Sequence, residues 1–169
     1  MEAKEFITRQ ITLVRFLSDA ATNETTDEQF NWQPAGTANT IRASFIHMVH
    51  AEDFFIHHVI QGKLRLWESE NWAGKFEIAT PPGRGRGWEE VTAKPLPVAP
   101  ALEYQKAVRA DTDAYLETLT AEELDREVRF FGAMQPVAQV LATLMAHSMG
   151  HAGDIAAIKG MQGVKGLPF

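Results

Sequence analysis

His147 and His151 stand four residues apart in the apolar stretch Val140-LATLMAHSMGHAGDIAAIKG. On a helix four residues turn through about 400°, so both imidazoles leave the same face, one turn above the other. Two neutral imidazoles so placed can hold one transition-metal ion if a third ligand arrives from a different element. Their neighbours Ala146, Ser148, Met149, Gly150, Ala152 and Gly153 are small or apolar and give the rings nothing local to bond. Burying two unpaired imidazoles is costly, and ligation satisfies one nitrogen of each. Asp154 shares their stripe, where it can act as a fourth ligand or accept the remaining ring N–H of a ligating histidine. A carboxylate toward a helix C-terminus opposes the dipole, so Asp154 needs such a partner.

The third ligand has its best source in Ile41-RASFIHMVHAEDFFIHHVIQG, which holds the other four histidines. His57 and His58 lie about 10–16 Å along a helix axis from His47, so one ion cannot use both groups. They read as surface or interface residues, where cationic rings suit the end of a helix. His47 sits amid Phe45, Ile46, Met48 and Val49 and is the buried candidate; His50 opens the polar run Ala51, Glu52, Asp53 and reads as a pocket residue beside it. Glu52 and Asp53 read as solvent-facing or paired. Three histidines leave a coordination position for water or substrate, as in a catalytic rather than a closed structural site. Imidazole suits several divalent transition metals, with zinc or nickel the expected ion.

Four segments of helical periodicity position these residues: about 2 to 21, 40 to 61, 100 to 119 and 136 to 160. The first carries Phe6, Ile7, Ile11, Val14, Leu17 and Ser18 on one stripe. The second can be capped by Asn39 or Thr40 and stops at Gly62; the fourth opens at Pro136 and closes at Gly160. Between the second and third lies a long Pro- and Gly-rich connection holding Trp67, Trp72 and Trp88, with a helical turn expected at Trp88-EEVTA. Loops of that length tend to be functional or disordered, and the tryptophans favour order. Trp67 and Trp72, with Trp88, are candidate walls of a substrate pocket. Thr120-AEE is a capping box, and Glu127-VRFFG alternates enough to be a short strand or extended piece. The expected fold is an all-α, up-down four-helix bundle with a long irregular crossover between helices 2 and 3.

At 169 residues, with ten Phe and four Trp, the chain suffices for one domain, residues 1–169, with a full core and no structural metal. The formal charge of −6 excludes nucleic acid as the main partner, since phosphate binding needs a basic patch and Arg84-GRG is too short to be one. With no cysteine there is no disulfide, thiolate ligand or thiol nucleophile. No apolar run approaches the length of a membrane span, and Met1-EAKEF has no apolar leader. A cytoplasmic protein acting on a small molecule is expected, with homodimerisation through a helix pair open.

Asn39-TIRASFIHMVHAEDFF, Trp67-ESENWAGKF and Pro136-VAQVLATLMAHSMGHAGDIAAIKGM together resemble the DinB superfamily of small helical metalloproteins, over about residues 5 to 162. The resemblance implies that His47, His147 and His151 bind one divalent metal. The family phrase usually places Gln where this chain has Asp154. It also implies a thiol-dependent transferase or isomerase using a low-molecular-weight thiol such as mycothiol, bacillithiol or glutathione, or a metal-dependent hydrolase. A thiol-dependent S-transferase acting on a small electrophile is the leading expectation from the resemblance; in a chain without cysteine its thiolate comes from a cosubstrate. The alternatives are a hydrolase using water, with Asp154 or His50 handling protons, and a non-catalytic metal-binding stress-response protein.

Overall fold

The computed structural model describes residues 2–167, and all four expected segments are helical in it. Helix α1, Ala3–Thr22, buries Ile7, Ile11, Ser18 and Ala21 and packs along the last helix, α9, Val137–Met161. Helix α3, Ile41–Asp53, starts where the Thr40 hydroxyl accepts the Ala43 N–H at 3.0 Å. Such a cap contributes about 1 kcal/mol. Helix α3 packs on both α9 and α7, Val98–Glu117. Pro100 falls inside the first turn of α7 rather than before it, tolerable because N–H groups there have no helical partner.

The second segment does not stay α-helical to its end. From Phe54 to Ile60 it is a π-helix, with Gln61 donating to the Ile56 carbonyl at 3.1 Å. Widening the helix by one residue rotates the side chains beyond that point by about 100°. His57, one turn after buried Asp53, lies inside while His58 stays exposed.

Short helices fill the connections: α2, Asp27–Asn31; α4, Leu66–Ser69; α5, Trp72–Phe76; α6, Trp88–Ala93; and α8, Ala121–Asp125. Helix α2 opens on a capping box, Thr26 and Gln29 each accepting the other's backbone N–H. The expected all-helical fold needs one correction: strands β1, Glu127–Phe130, and β2, Ala133–Pro136, pair as an antiparallel hairpin. Its turn, Phe131-Gly132, has positive φ at both residues, 47° and 92°, the geometry that matches strand twist in a two-residue hairpin. The chain is thus predominantly helical with one small sheet among the described residues. No helix among them is long and apolar enough to cross a membrane.

Candidate metal centre

Helix α3 delivers His47, and consecutive turns of α9 deliver His147 and His151. Their ring centroids lie 4.9, 4.8 and 4.5 Å apart, and one nitrogen from each falls within 4.8 Å of the others. The Nε2 atoms of His47 and His147 are 3.0 Å apart. Two nitrogens bonded at about 2.0–2.1 Å to one ion sit about 3 Å from each other, so this spacing suits adjacent ligands.

The outer bonds of two rings fix which nitrogen faces inward. His47 Nδ1 lies 2.8 Å from the Pro82 carbonyl, which can only accept, so Nδ1 carries the hydrogen and Nε2 keeps its lone pair. His151 Nδ1 lies 3.2 Å from Asp154 Oδ2, which holds the other nitrogen of His151 unprotonated in the same way. Asp154 therefore stands behind a histidine rather than among the inward-facing nitrogens, the outer-partner arrangement metal-ligating histidines use. His147 Nδ1 is buried without a hydrogen-bond partner.

Protonation state agrees with the geometry. Burial, then the neighbouring rings of His151 and His47, pushes His147 down to about 3. Burial also lowers His47 and His151, against the opposing pull of Pro82 on one and Asp154 on the other. Three half-buried imidazoles, neutral near pH 7 and with one nitrogen of each converging, are the donor set of a borderline transition ion. The residues fit the metal that the sequence implies.

The loop between α5 and α6 lies against this cluster. Trp88 packs 4.8 Å from the His47 ring, and its indole N–H donates to the Gly83 carbonyl at 2.8 Å. Gly87 is required there: its φ is +78°, and a Cβ would meet the Pro81 carbonyl oxygen at 2.3 Å. On the other side, Phe55 packs 6.2 Å from His147.

Three expectations need correction. Trp67 and Trp72 do not wall the site; both are buried against Phe76 and Tyr104 in the core, where their apolar area is worth most. Trp88 alone of the three expected walls touches the cluster. His50 is buried beside Trp67 and its Nε2 accepts from Arg65 at 3.1 Å. Burial, helped by the Arg65 charge, drives His50 to about 3, so it is a neutral acceptor already in use. His57 is buried rather than at the surface. Its Nδ1 lies 2.7 Å from Asp53 Oδ1 and its Nε2 3.1 Å from Asp111 Oδ2.

The sequence profile of the DinB superfamily matches residues 10–155. The chain belongs to the DinB superfamily. A conserved protein from Enterococcus faecalis has the same fold, with a TM-score of 0.79 at 16% identity, over 94% of this chain and 96% of that one. A DinB-like protein from Bacillus subtilis superposes with a TM-score of 0.60 at 18% identity, over 98% and 96%. One from Bacillus cereus gives 0.58 at 18%, over 95% of each chain. At these identities the likeness establishes the DinB-like fold alone. No curated protein matches the chain significantly.

Proposed function

We propose that this DinB-superfamily chain is a divalent-metal-dependent enzyme, with His47, His147 and His151 as protein ligands, that transfers a low-molecular-weight thiol to a small electrophile. One observation carries the reading: three imidazoles from helices a hundred residues apart bring one nitrogen each within 4.8 Å of the others. A divalent ion there, zinc or nickel by ligand type, supplies Lewis acidity that favours the thiolate of a bound thiol at neutral pH.

The chain's own residues do the rest. The Pro82 carbonyl and Asp154 hold two rings in the tautomer that faces inward. Trp88 and Phe55 give the site apolar flanks against which an electrophile can rest out of water. Because the chain contains no cysteine, the attacking sulfur is the cosubstrate's. A hydrolase is the second reading: the Asp154 carboxylate behind His151 would raise the basicity of that ring as a ligand, which suits a site holding water as well as one holding a thiol. We also take the four long helices as an up-down bundle, with residues 61–97 as its crossover, forming one domain that acts on a small molecule in the cytoplasm.

Metal analysis of purified protein tests the assignment. Wild type is expected to carry a single equivalent, and His147→Ala or His151→Ala to lose it while circular dichroism stays helical, since the core does not depend on the ion. Stoichiometric metal in either variant rejects the ligand set. Consumption of a thiol together with an electrophile supports the transferase; turnover with water alone supports the hydrolase. Metal binding with neither activity means a non-catalytic protein.

A further inference from the structure

The three histidines have two flanks, and one arginine spans them. On the His47 side, Gly83 and Arg86 pair as a β-bridge and enclose a two-residue turn, Arg84-Gly85, with Gly85 at φ +74°. Two bonds pin this turn beside the cluster, His47 to the Pro82 carbonyl and Trp88 to the Gly83 carbonyl. On the His147 side, the hairpin tip Phe131 packs 6.0 Å from Phe55, which packs against His147. The Arg84 guanidinium reaches from the first flank to the second and rests 5.5 Å from the Phe131 ring.

Its charge is uncompensated. Arg9, Arg15, Arg65, Arg109 and Arg126 are each paired with a carboxylate; among the described residues Arg42, Arg84, Arg86 and Arg129 show none, and of these four Arg84 is the one set against Phe131. In a chain carrying 22 acidic against 16 basic residues, an exposed guanidinium left without an acid, on the turn that follows the Pro82 contact to His47, is available to a ligand. Its contact with Phe131 is of the weak, exposed cation–π kind and leaves the planar fork of donors free. That fork matches a carboxylate or phosphate two bonds at a time.

We propose that Arg84 is the anion-recognising residue of the three-histidine site, so that the molecule bound there carries an oxyanion, carboxylate or phosphate, beside its reacting group. The inference rests on the proposed metal site and deepens it by naming the substrate class. The turn fixes Arg84, the histidines fix the reacting end, and a neutral analogue engages only the second.

The test uses cobalt-loaded full-length protein and three probes: 3-mercaptopropionate, its neutral counterpart 2-mercaptoethanol, and inorganic phosphate. Binding is read from the cobalt–thiolate absorption, without turnover. Wild type is expected to prefer 3-mercaptopropionate by about tenfold, the scale of one charge-assisted bidentate contact. Arg84→Ala should abolish that preference, leaving cobalt stoichiometry and 2-mercaptoethanol affinity unchanged. Arg84→Lys should keep part of it, and Arg129→Ala, which removes the same charge from the exposed face of β1, should keep all of it. Competition by phosphate identifies a phosphate-bearing ligand; failure to compete identifies a carboxylate. An undiminished preference in Arg84→Ala, or its equal loss in Arg129→Ala, overturns the role of Arg84 while the metal site stands. Failure of wild type to bind cobalt overturns the metal reading, and this subsite with it.

Discussion

Two histidine clusters share helix α3 and its π extension, and their surroundings give them opposite protonation. His47, with His147 and His151, faces other imidazoles: burial drives the rings neutral, and the inward nitrogens of His47 and His151 are lone pairs. His57, ten residues on, faces carboxylates. Both of its nitrogens lie beside acceptors, Asp53 and Asp111, so both carry hydrogen and the ring is a cation. Asp53 is fully buried and accepts four bonds: from His57, from Tyr104 at 2.7 Å, and from the backbone of Leu66 and Trp67 at 2.9 Å each. One cluster has donor capacity pointing at nothing the chain supplies; in the other every hydrogen finds an acceptor. Residue type is common to both, and the partners decide which is available for a ligand and which ties α7 and α4 to the π segment.

The largest effect should come from breaking the carboxylate cluster. Asp53→Ala leaves a buried imidazolium, two amide N–H groups and a tyrosine hydroxyl without their acceptor, a loss on the order of 3–5 kcal/mol. Against a total of about 5–15 kcal/mol that is a large share, and urea unfolding at pH 7 should show it. Cobalt or zinc binding by the fraction that stays folded should be unaffected, because no bond joins Asp53 to the three histidines. A near-neutral Asp53→Ala would remove the contrast between the clusters.

A smaller change sharpens the other side. Asp154 is mostly exposed and contributes little to the fold, yet it orients His151. Asp154→Ala should weaken metal binding about 10–100-fold, measured by competition with a chelator, with the urea midpoint unchanged. Unaltered affinity would show that Asp154 does not support His151.

The three-histidine site was legible because its signal is local: spacing of four on one segment and an apolar neighbourhood for His47 on another. So were the four long helices, whose periodicity runs for many turns. The second cluster was not: a spacing of four sets Asp53 and His57 on one face, but the sequence does not show that this face is buried near the end of the segment. The partner Asp111 arrives from a helix 54 residues away. Strand β2 escaped because Ala133-MQP has no alternation of its own and forms only against β1. Helix α2 did carry its sign, the Thr26–Gln29 box, though at five residues it is too short to show periodicity. Trp67 and Trp72 misled because an aromatic in an irregular loop suits a pocket and a core equally well; their company with Phe76 and Tyr104 is visible only in three dimensions.

The finest test of the contrast is its pH dependence. Burial alone would lower His57, but the bonds and charge of Asp53, followed by those of Asp111, raise it above its ordinary value. The unfolded ring titrates near pH 6.5, so the folded state holds its proton to higher pH than the unfolded state. His57 therefore stabilises the fold in full below about pH 6.5, and that contribution is lost as pH rises through the raised folded value. Each unit of upward shift is worth about 1.4 kcal/mol. Asp53 is lowered by its bonds and loses its contribution only as pH falls through its folded value, below the carboxylate range. Urea midpoints of wild type and His57→Gln between pH 7 and 9 therefore isolate the ring. Their difference should shrink as pH rises, because the deprotonated ring turns one lone pair toward a carboxylate and the glutamine does not titrate. A difference that stayed constant or grew would mean that His57 is neutral in the fold, and that the two clusters differ in their partners without differing in charge.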